Sequence, residues 1–501
     1  MVIFSMHRII AWRAFMHLLL RALPSLMPSG GIVTTIKTRP SAAAGQALLD
    51  RLDRLEPGRP HRRLMFQGGL GYTFDSFDGA LMGYALSAVI VVWGITPGTA
   101  GWLLSSIFFG YLVGALLAGV LADRFGRRRL MMCALLVFSV FSLLMGASSG
   151  TTELFVWRAL SGVGIGAETT LIAPYISEFL PARHRGRFVA RTVGFLAFGY
   201  VLAGVLAPVV ISPHPETGWR IAAVITAAPV VLLLWWRKDL PESPRYLVSQ
   251  GRLDEATAVV ERFERHAGTV RQGPADEGSP TSTAPTVSRS NKPHVAGQLA
   301  SLWKGRTART TLVLWVLWFI LTGVNYGFSS WLPTMLVVAK GFTITKSFVF
   351  ALVTALAQIP GYYVAGALID RWERKWLIAA YATGATLSAL GVAVSDSPTA
   401  LLVCAAFLAA FTNGSAAVYY AYTAELYPTA IRTTGMGAAS AVGRLGAIVT
   451  PVTIGYLYAG VGFTNVFLTL VGALALAVAV IVAFGEKTAG RSLEQLEGTP
   501  A

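Results

Sequence analysis

Long apolar runs, broken at near-regular intervals by short clusters of charge, proline or glycine, dominate the chain. Twelve of them reach the ~20 residues that a membrane-crossing helix needs. They cover roughly 65–93, 99–122, 130–148, 153–178, 189–211, 220–236, 311–336, 347–369, 376–395, 399–421, 433–459 and 463–484. The runs are continuous rather than alternating, which argues against a strand barrel. The pattern predicts an all-α integral membrane protein with twelve transmembrane helices. A polar stretch over 237–310 parts the runs into six and six. The expected organisation is an N-terminal tail (1–64), a six-helix bundle (65–236), a central loop (237–310), a second six-helix bundle (311–485) and a C-terminal tail (486–501). The loop opens on a basic, helix-prone stretch from Pro241 to His266. It continues as a Pro/Ser/Thr/Gly-rich segment, Gln272–Ser290, that reads as a flexible tether. The run from Phe15 to Met27 is too short to span, is interrupted by Arg21 and Pro24, and lacks a convincing cleavage site. Translation is expected to start near Val33, with residues 1–32 not native.

Charge supplies the orientation. The 501 residues carry 41 Lys+Arg against 25 Asp+Glu, a formal +16, yet only 13% are charged and 54% are apolar. Mean hydropathy is +0.58. So little charge could not cover a soluble globule of this size. The basic excess lies in short loops between apolar runs, which speaks for membrane topology rather than nucleic acid. One set of loops holds Arg124, Arg127, Arg128, Arg129, Arg183, Arg185, Arg187, Arg371, Arg374, Lys375 and Arg432; the opposite set holds Arg220, Lys340 and Lys346. The positive-inside rule puts the first set, both termini and the central loop in the cytoplasm. The expected location is the inner (cytoplasmic) membrane, as a multi-pass monomer. Cys133 and Cys404 sit in apolar runs, which excludes a disulfide scaffold. No nucleotide-binding loop and no metal or triad constellation is present. The expectation is a non-enzyme without cofactor, driven by a proton gradient.

Two charged motifs recur at one offset. Gly119-Val-Leu-Ala-Asp123-Arg124-Phe-Gly126-Arg127-Arg128 is echoed by Gly366-Ala-Leu-Ile-Asp370-Arg371-Trp-Glu373-Arg374-Lys375, 247 residues later. Glu178-Phe-Leu-Pro181-Ala-Arg-His-Arg185 is echoed, again 247 residues later, by Glu425-Leu-Tyr-Pro428-Thr-Ala-Ile-Arg432. The halves therefore read as copies related by an axis along the membrane normal. The Asp-Arg-x-Gly-Arg-Arg loop resembles the signature of the major facilitator superfamily. Arg158-x-x-x-Gly162-x-Gly164-x-Gly166 and Pro241-Glu-Ser-Pro-Arg245 extend that resemblance, the latter toward its sugar-porter branches. Gly69-Leu-Gly-Tyr-Thr-Phe-Asp75-Ser-Phe-Asp78, Gly-Ala-Glu168-Thr-Thr and Gly443-Arg444-Leu-Gly resemble most the niacin-transporter and synaptic-vesicle-related branch, close to the aromatic-acid:proton symporters. The resemblance implies two six-helix bundles that rock about a central cavity. It also implies a cytoplasmic latch of ion pairs, made in one state and lost in the other, from Asp123, Arg124, Arg127, Arg128, Glu178, Arg185, Asp370, Arg371, Glu425 and Arg432. Gly119 is expected to let helices approach closely.

Ionisable residues inside spans are costly and mark functional sites. Asp75, Asp78, Arg158, Glu168 and Arg444 qualify. At ~1.5 Å per residue, Asp75, Asp78, Glu168 and Arg444 fall near the midplane, and Arg158 about 10 Å beyond Asp78. Asp75 and Asp78 are three apart, hence on one helix face. Asp78, with Asp75 or Glu168, is the expected proton carrier and Arg158 its competitor; a permanent ion pair is the structural alternative. Position 325, 247 residues after Asp78, is the neutral Asn325. Symmetry thus points to proton coupling in the first half and substrate contact in the second. Arg444 offers a planar fork to a carboxylate, unless it pairs with Glu168. Asn325, Tyr326, Gln358, Asn413, Tyr419 and Tyr420 are candidates to stack on and hydrogen-bond a ring. The leading function is proton-coupled uptake of a small aromatic monocarboxylate such as nicotinate or benzoate by alternating access. A sugar or polyol:proton symporter and a drug:proton antiporter are the alternatives. The fifth span lacks the Gly-Pro-x-x-Gly-Gly pattern of the antiporters. A solute-sensing receptor signalling through the central loop has little support, because that loop resembles no signalling domain.

Overall fold

The structure, a computed structural model, describes residues 42–228, 239–266, 299–369, 371–428 and 431–488. Residues 1–32, the tether Gln272–Ser290 and Asp370 lie outside the described residues, and so do the expectations placed on them. The described residues form fifteen helices and no strand. In chain order they are α1 (Ala42–Asp53), α2 (Arg59–Trp93), α3 (Pro97–Phe125), α4 (Arg127–Gly146), α5 (Thr151–Ser177), α6 (Ala182–Val193), α7 (Leu196–Val210) and α8 (Pro215–Thr226). Then follow α9 (Pro244–Ser249), α10 (Leu253–Glu264), α11 (Gly305–Val338), α12 (Ile344–Leu368), α13 (Arg374–Val394), α14 (Pro398–Leu426) and α15 (Arg432–Phe484).

Nine stretches among the described residues are long and apolar enough to cross a membrane. One is α15, which holds two spans joined at Gly462, whose φ of 77° and ψ of −178° only glycine adopts readily. The helix α5 is a further span, its apolar run interrupted by Glu153, Arg158 and Glu168. The sixth predicted span begins in α8 and continues beyond the described residues. Together these make the twelve-helix fold. Helix starts follow local chemistry: Thr96 and Thr343 accept from the N–H groups of Thr99 and Lys346, capping α3 and α12.

Glycines set the packing within each half. A Cβ at Gly110 or Gly114 would lie 1.7 or 2.0 Å from the carbonyl oxygens of Ala159 or Val163 on α5. One at Gly162 or Gly166 would meet those of Ile107 or Tyr111 on α3, at 2.1 or 2.2 Å. The two helices therefore touch backbone to backbone, the small-residue packing that membrane helices use. Gly361 stands against Ala410 O at 2.3 Å, each 247 residues after Gly114 and Val163, so the second half repeats the contact. Gly119 departs from expectation. A Cβ there would meet nothing within 4 Å, because α3 makes its close approach nearer its middle.

The halves meet through α2–α11, α7–α12 and α3–α15. Ser105 donates to Ile448 O (2.6 Å) and Trp102 Nε1 to the Tyr456 hydroxyl (3.3 Å). A Cβ at Gly101 would sit 2.6 Å from Pro451 O, and one at Gly455 2.3 Å from Pro97 O. These contacts gather between the helix middles and the end opposite the arginine-rich loops.

At the basic end, α1, α9 and α10 form a small cap over a core of Leu48, Leu247, Ala256 and Val260. Arg51 holds Glu264 through two hydrogen bonds, at 3.0 and 2.6 Å. Asp53 lies 4.0 Å from Arg185 and 3.9 Å from Arg245. Partial burial nevertheless lifts its carboxyl above the usual range, outweighing both arginines.

Candidate functional site

The first half buries a polar cluster. Asp75 and Asp78 share one face of α2, and α5 brings Arg158 and Glu168 to them. Relative exposures are 6%, 1%, 1% and 0% in that order. Arg158 Nη1 approaches Asp78 Oδ2 at 3.8 Å, a loose pair in which neither atom has a hydrogen bond among the described residues. Ser142 reaches Asp78 Oδ1 at 3.5 Å and Ser161 at 3.2 Å. The ~10 Å gap expected between Arg158 and Asp78 closes because α2 begins at Arg59. The apolar run marked its start six residues late. Asp75 accepts from Thr169 Oγ1 at 2.5 Å through Oδ2, while its Oδ1 has no hydrogen-bond partner among the described residues. Glu168 is the neighbouring carboxyl of Asp75, and neither of its oxygens is hydrogen-bonded among the described residues. Three carboxyl groups and one guanidinium thus lie buried together, with only Asp78 within ion-pair distance of Arg158 among the described residues, and an unpaired buried charge is very costly.

The second half contributes Arg444. Its guanidinium lies 4.0 Å from the Tyr111 ring centroid. It donates to Tyr111 OH (3.0 Å) and Tyr326 OH (3.2 Å). No described carboxylate lies within ion-pair distance of it, so the alternative pairing with Glu168 is not made. Tyr326 packs on Phe108 with centroids 4.7 Å apart. Tyr420 lies beside Arg444 and Tyr326, and Tyr200 lies beside Tyr326, Tyr362 and Arg444. Tyr420, six residues before the end of α14, packs on Trp318 and is 42% exposed. Asn413 Nδ2 donates to Asn325 Oδ1 at 2.9 Å, and the Tyr419 hydroxyl meets Thr322 at 3.2 Å. Gln358 is buried on α12.

Thr322, Asn325 and Ser415 occupy the positions 247 residues after Asp75, Asp78 and Glu168, so the second half keeps the geometry without the charge. Sequence reasoning singled out Tyr326 and Tyr420 but not Tyr111, Tyr200 or Tyr362. An aromatic residue in an apolar run carries no mark of which face it takes. The offset between halves pairs Tyr111 with Gln358, and only proximity to Arg444 and its tyrosines in space singles out Tyr200 and Tyr362.

The loop motifs pair within each half. Arg127 bridges Asp123 (3.0 Å) and Glu178 (3.3 Å). Arg374 bridges Glu425 (3.1 Å), again 247 residues on from Arg127 and Glu178. Arg185 does not pair with Glu178, whose carboxylate Arg127 already holds. Its Nε and Nη2 instead donate to Ser177 O (3.0 Å) and Leu180 O (3.2 Å), where the end of α5 leaves carbonyls unpaired. Arg432 donates likewise to Tyr427 O at 3.2 Å. Glu242, of the Pro-Glu-Ser-Pro-Arg element, accepts from Arg128 N at 3.2 Å, where α4 begins. Gly126, at φ 96°, lets the chain turn there. Arg124 and Arg371 are exposed.

The profile of the family described as "Sugar (and other) transporter" matches residues 80–499. The chain belongs to this family. It is 35% identical over 453 residues to the niacin transporter NiaP of Acinetobacter baylyi, covering 90% of this chain and 99% of that one. It is 28% identical over 402 residues to the benzoate transport protein of the same organism, covering 79% and 83%. The xylose transporter XylE from E. coli, solved in an inward-open conformation, superposes with a TM-score of 0.68 at 19% identity, covering 87% of this chain and 99% of that one. That likeness shows the major facilitator fold. The chain is accordingly a multi-pass membrane transporter, not an enzyme.

Proposed function

We propose that this transporter takes up small aromatic monocarboxylates, nicotinate or benzoate among them, together with protons, by alternating access. The observation that carries the reading is Arg444. It is a guanidinium deep in a predicted span, among tyrosines contributed by both halves, with no carboxylate of the described residues on it. A fork of donors flanked by aromatic faces suits a ring bearing a carboxylate. The cluster of Asp75, Asp78, Arg158 and Glu168 supports the proton, since the carboxyls left without the guanidinium are neutral only if they hold one. Co-entry of a proton cancels the charge of the acid, so the membrane potential does not oppose uptake. The arginine-rich loops would face the cytoplasm, with the chain in the cytoplasmic membrane.

A sugar is the second reading, favoured by the amide pair Asn325–Asn413, whose donors and acceptors suit hydroxyl groups. Uptake into proteoliposomes tests both readings. Nicotinate and benzoate should accumulate under an inward proton gradient and a hexose should not. Arg444→Lys should weaken acid affinity by about 10- to 100-fold, losing the stacked, forked geometry. Acid uptake indifferent to the gradient, or an Arg444→Ala variant with unchanged acid affinity, would overturn the reading.

A further inference from the structure

The hydrogen bonds of Arg444 use only half of what its partners offer. Its Nη1 donates to Tyr326 OH at 3.2 Å and its Nη2 to Tyr111 OH at 3.0 Å. A guanidinium only donates, whereas a phenol both accepts and donates. Each phenol oxygen is taken by the arginine, and its own hydrogen has no acceptor among the described residues. A hydroxyl that accepts from a cation is polarised into a stronger donor. The two tyrosines meet the guanidinium differently. The Tyr111 ring centroid lies 4.0 Å from Arg444 Cζ and the Tyr326 centroid 5.8 Å, so Tyr111 offers its face and Tyr326 its hydroxyl edge. Phe108, three residues before Tyr111 on α3, holds the Tyr326 ring at 4.7 Å. The backbones behind them are pressed together: a Cβ at Gly446 on α15 would sit 2.2 Å from Phe319 O on α11, and one at Gly166 on α5 2.2 Å from Tyr111 O. Arg444, Tyr111 and Tyr326 nevertheless stay half-buried, whereas Asp78, Arg158 and Glu168 are sealed. The three keep surface that a ligand can reach.

We propose that the Tyr111 and Tyr326 hydroxyls are substrate-binding groups: with Arg444 they form a clamp made of donors alone, which takes the two oxygens of a carboxylate and rejects the corresponding carboxamide. The inference rests on the aromatic-acid reading above and names the group by which the site tells one aromatic compound from another. A carboxylate oxygen is charged and is a stronger acceptor than a phenol. Its two oxygens carry enough lone pairs to accept from the remaining guanidinium N–H groups and from both O–H hydrogens at once. Neither phenol has to leave the arginine for this, so the clamp is set before the acid arrives. A carboxamide brings one oxygen and an NH2 group. The N–H hydrogens then face a guanidinium that cannot accept, and no charge offsets the desolvation of the clamp. Tyr111 belongs to the first half and Tyr326 and Arg444 to the second. An acid held by all three is gripped by both halves together, as a carrier that rocks around its cargo requires.

The test is equilibrium binding of radiolabelled nicotinate to the purified full chain at neutral pH, displaced in turn by nicotinamide, benzoate and benzamide. Wild type should prefer each acid to its amide by at least about tenfold. Tyr111→Phe keeps the ring against Arg444, and Tyr326→Phe keeps the packing on Phe108. Each should weaken both acids by about 10- to 100-fold, the loss of one hydrogen bond to a charged group. The amides should weaken less, so the preference for the acid should shrink by at least about fivefold in each variant. Acids and amides weakened alike in both variants would mean that the hydroxyls act through shape, and would overturn the clamp. Acid affinity unchanged in both variants overturns it as well; if Arg444→Lys still weakens the acids, the aromatic-acid reading stands without it. A wild type indifferent between acid and amide, with acid affinity also untouched by Arg444→Lys, overturns the clamp and that reading together. Should one variant fail to fold, the other decides, because the two hydroxyls sit on different halves.

Discussion

Arg158 and Asp78 are each 1% exposed and stand 3.8 Å apart, without the paired hydrogen bonds that make an arginine–carboxylate contact tight. A buried ion pair of this kind contributes little by itself, whereas a buried charge left alone is strongly destabilising. Arg158→Met should therefore cost about 3–5 kcal/mol, and adding Asp78→Asn should recover much of it, because the orphaned carboxylate is then gone. Thermal denaturation of the two variants in detergent checks this. A double variant no more stable than Arg158→Met would mean that the pair is held by more than its mutual charge. The same residues mark how far reading at this scale could go. Ionisable side chains in apolar runs stand out in any sequence, so Asp75, Asp78, Arg158, Glu168 and Arg444 were legible. Which of them touch was not, because their depths depend on where helices begin. Polar residues such as His61 and Arg62 continue α2 beyond its apolar run into the interface.

At the scale of the element, glycine content is uninformative until a neighbour is known. The motif glycine Gly119 and the unremarked Gly114 lie on one helix, five residues apart. They differ in what a methyl group would meet: nothing within 4 Å at Gly119, the Val163 carbonyl oxygen at 2.0 Å at Gly114. That oxygen is backbone and cannot turn aside as a side chain would. Gly114→Ala should therefore destabilise by about 1–3 kcal/mol or more. Gly119→Ala should stay within ~0.5 kcal/mol. Melting temperatures of the two purified variants decide it, and equal losses would mean that α3 and α5 are not packed backbone to backbone. The repeat, by contrast, was legible and carries further than its charged motifs. Arg127–Glu178 recurs as Arg374–Glu425, Arg185–Leu180 O as Arg432–Tyr427 O, and the Gly114–Val163 contact as Gly361–Ala410. Duplicated packing preserves backbone contacts even where side chains have diverged, so the positions of the charged cluster in one half can be held by Thr322, Asn325 and Ser415 in the other.

For the whole molecule, the conformation is set by where the halves touch. Gly101 against Pro451 O and Gly455 against Pro97 O close the end opposite the basic loops, and Ser105 seals the layer below by donating to Ile448 O. The ion pairs of the basic loops lie within one half, so they leave the halves free to part at that end. A transporter that rocks between two states needs both closures available, each made only in its own state. A side chain too large for the Gly455–Pro97 contact would forbid the state seen here and leave the other populated. Gly455→Leu should accordingly reduce uptake by at least about tenfold while acid binding survives, since a closure is lost and the Arg444 site is not. The conformational readout is Ser105, which is fully buried here. In a background with Cys133 and Cys404 replaced, Ser105→Cys should resist a membrane-impermeant maleimide. In the Gly455→Leu protein it should react. If Ser105→Cys stays protected and uptake is undiminished, that closure does not gate the pathway, and the site between the halves must be reached by another route.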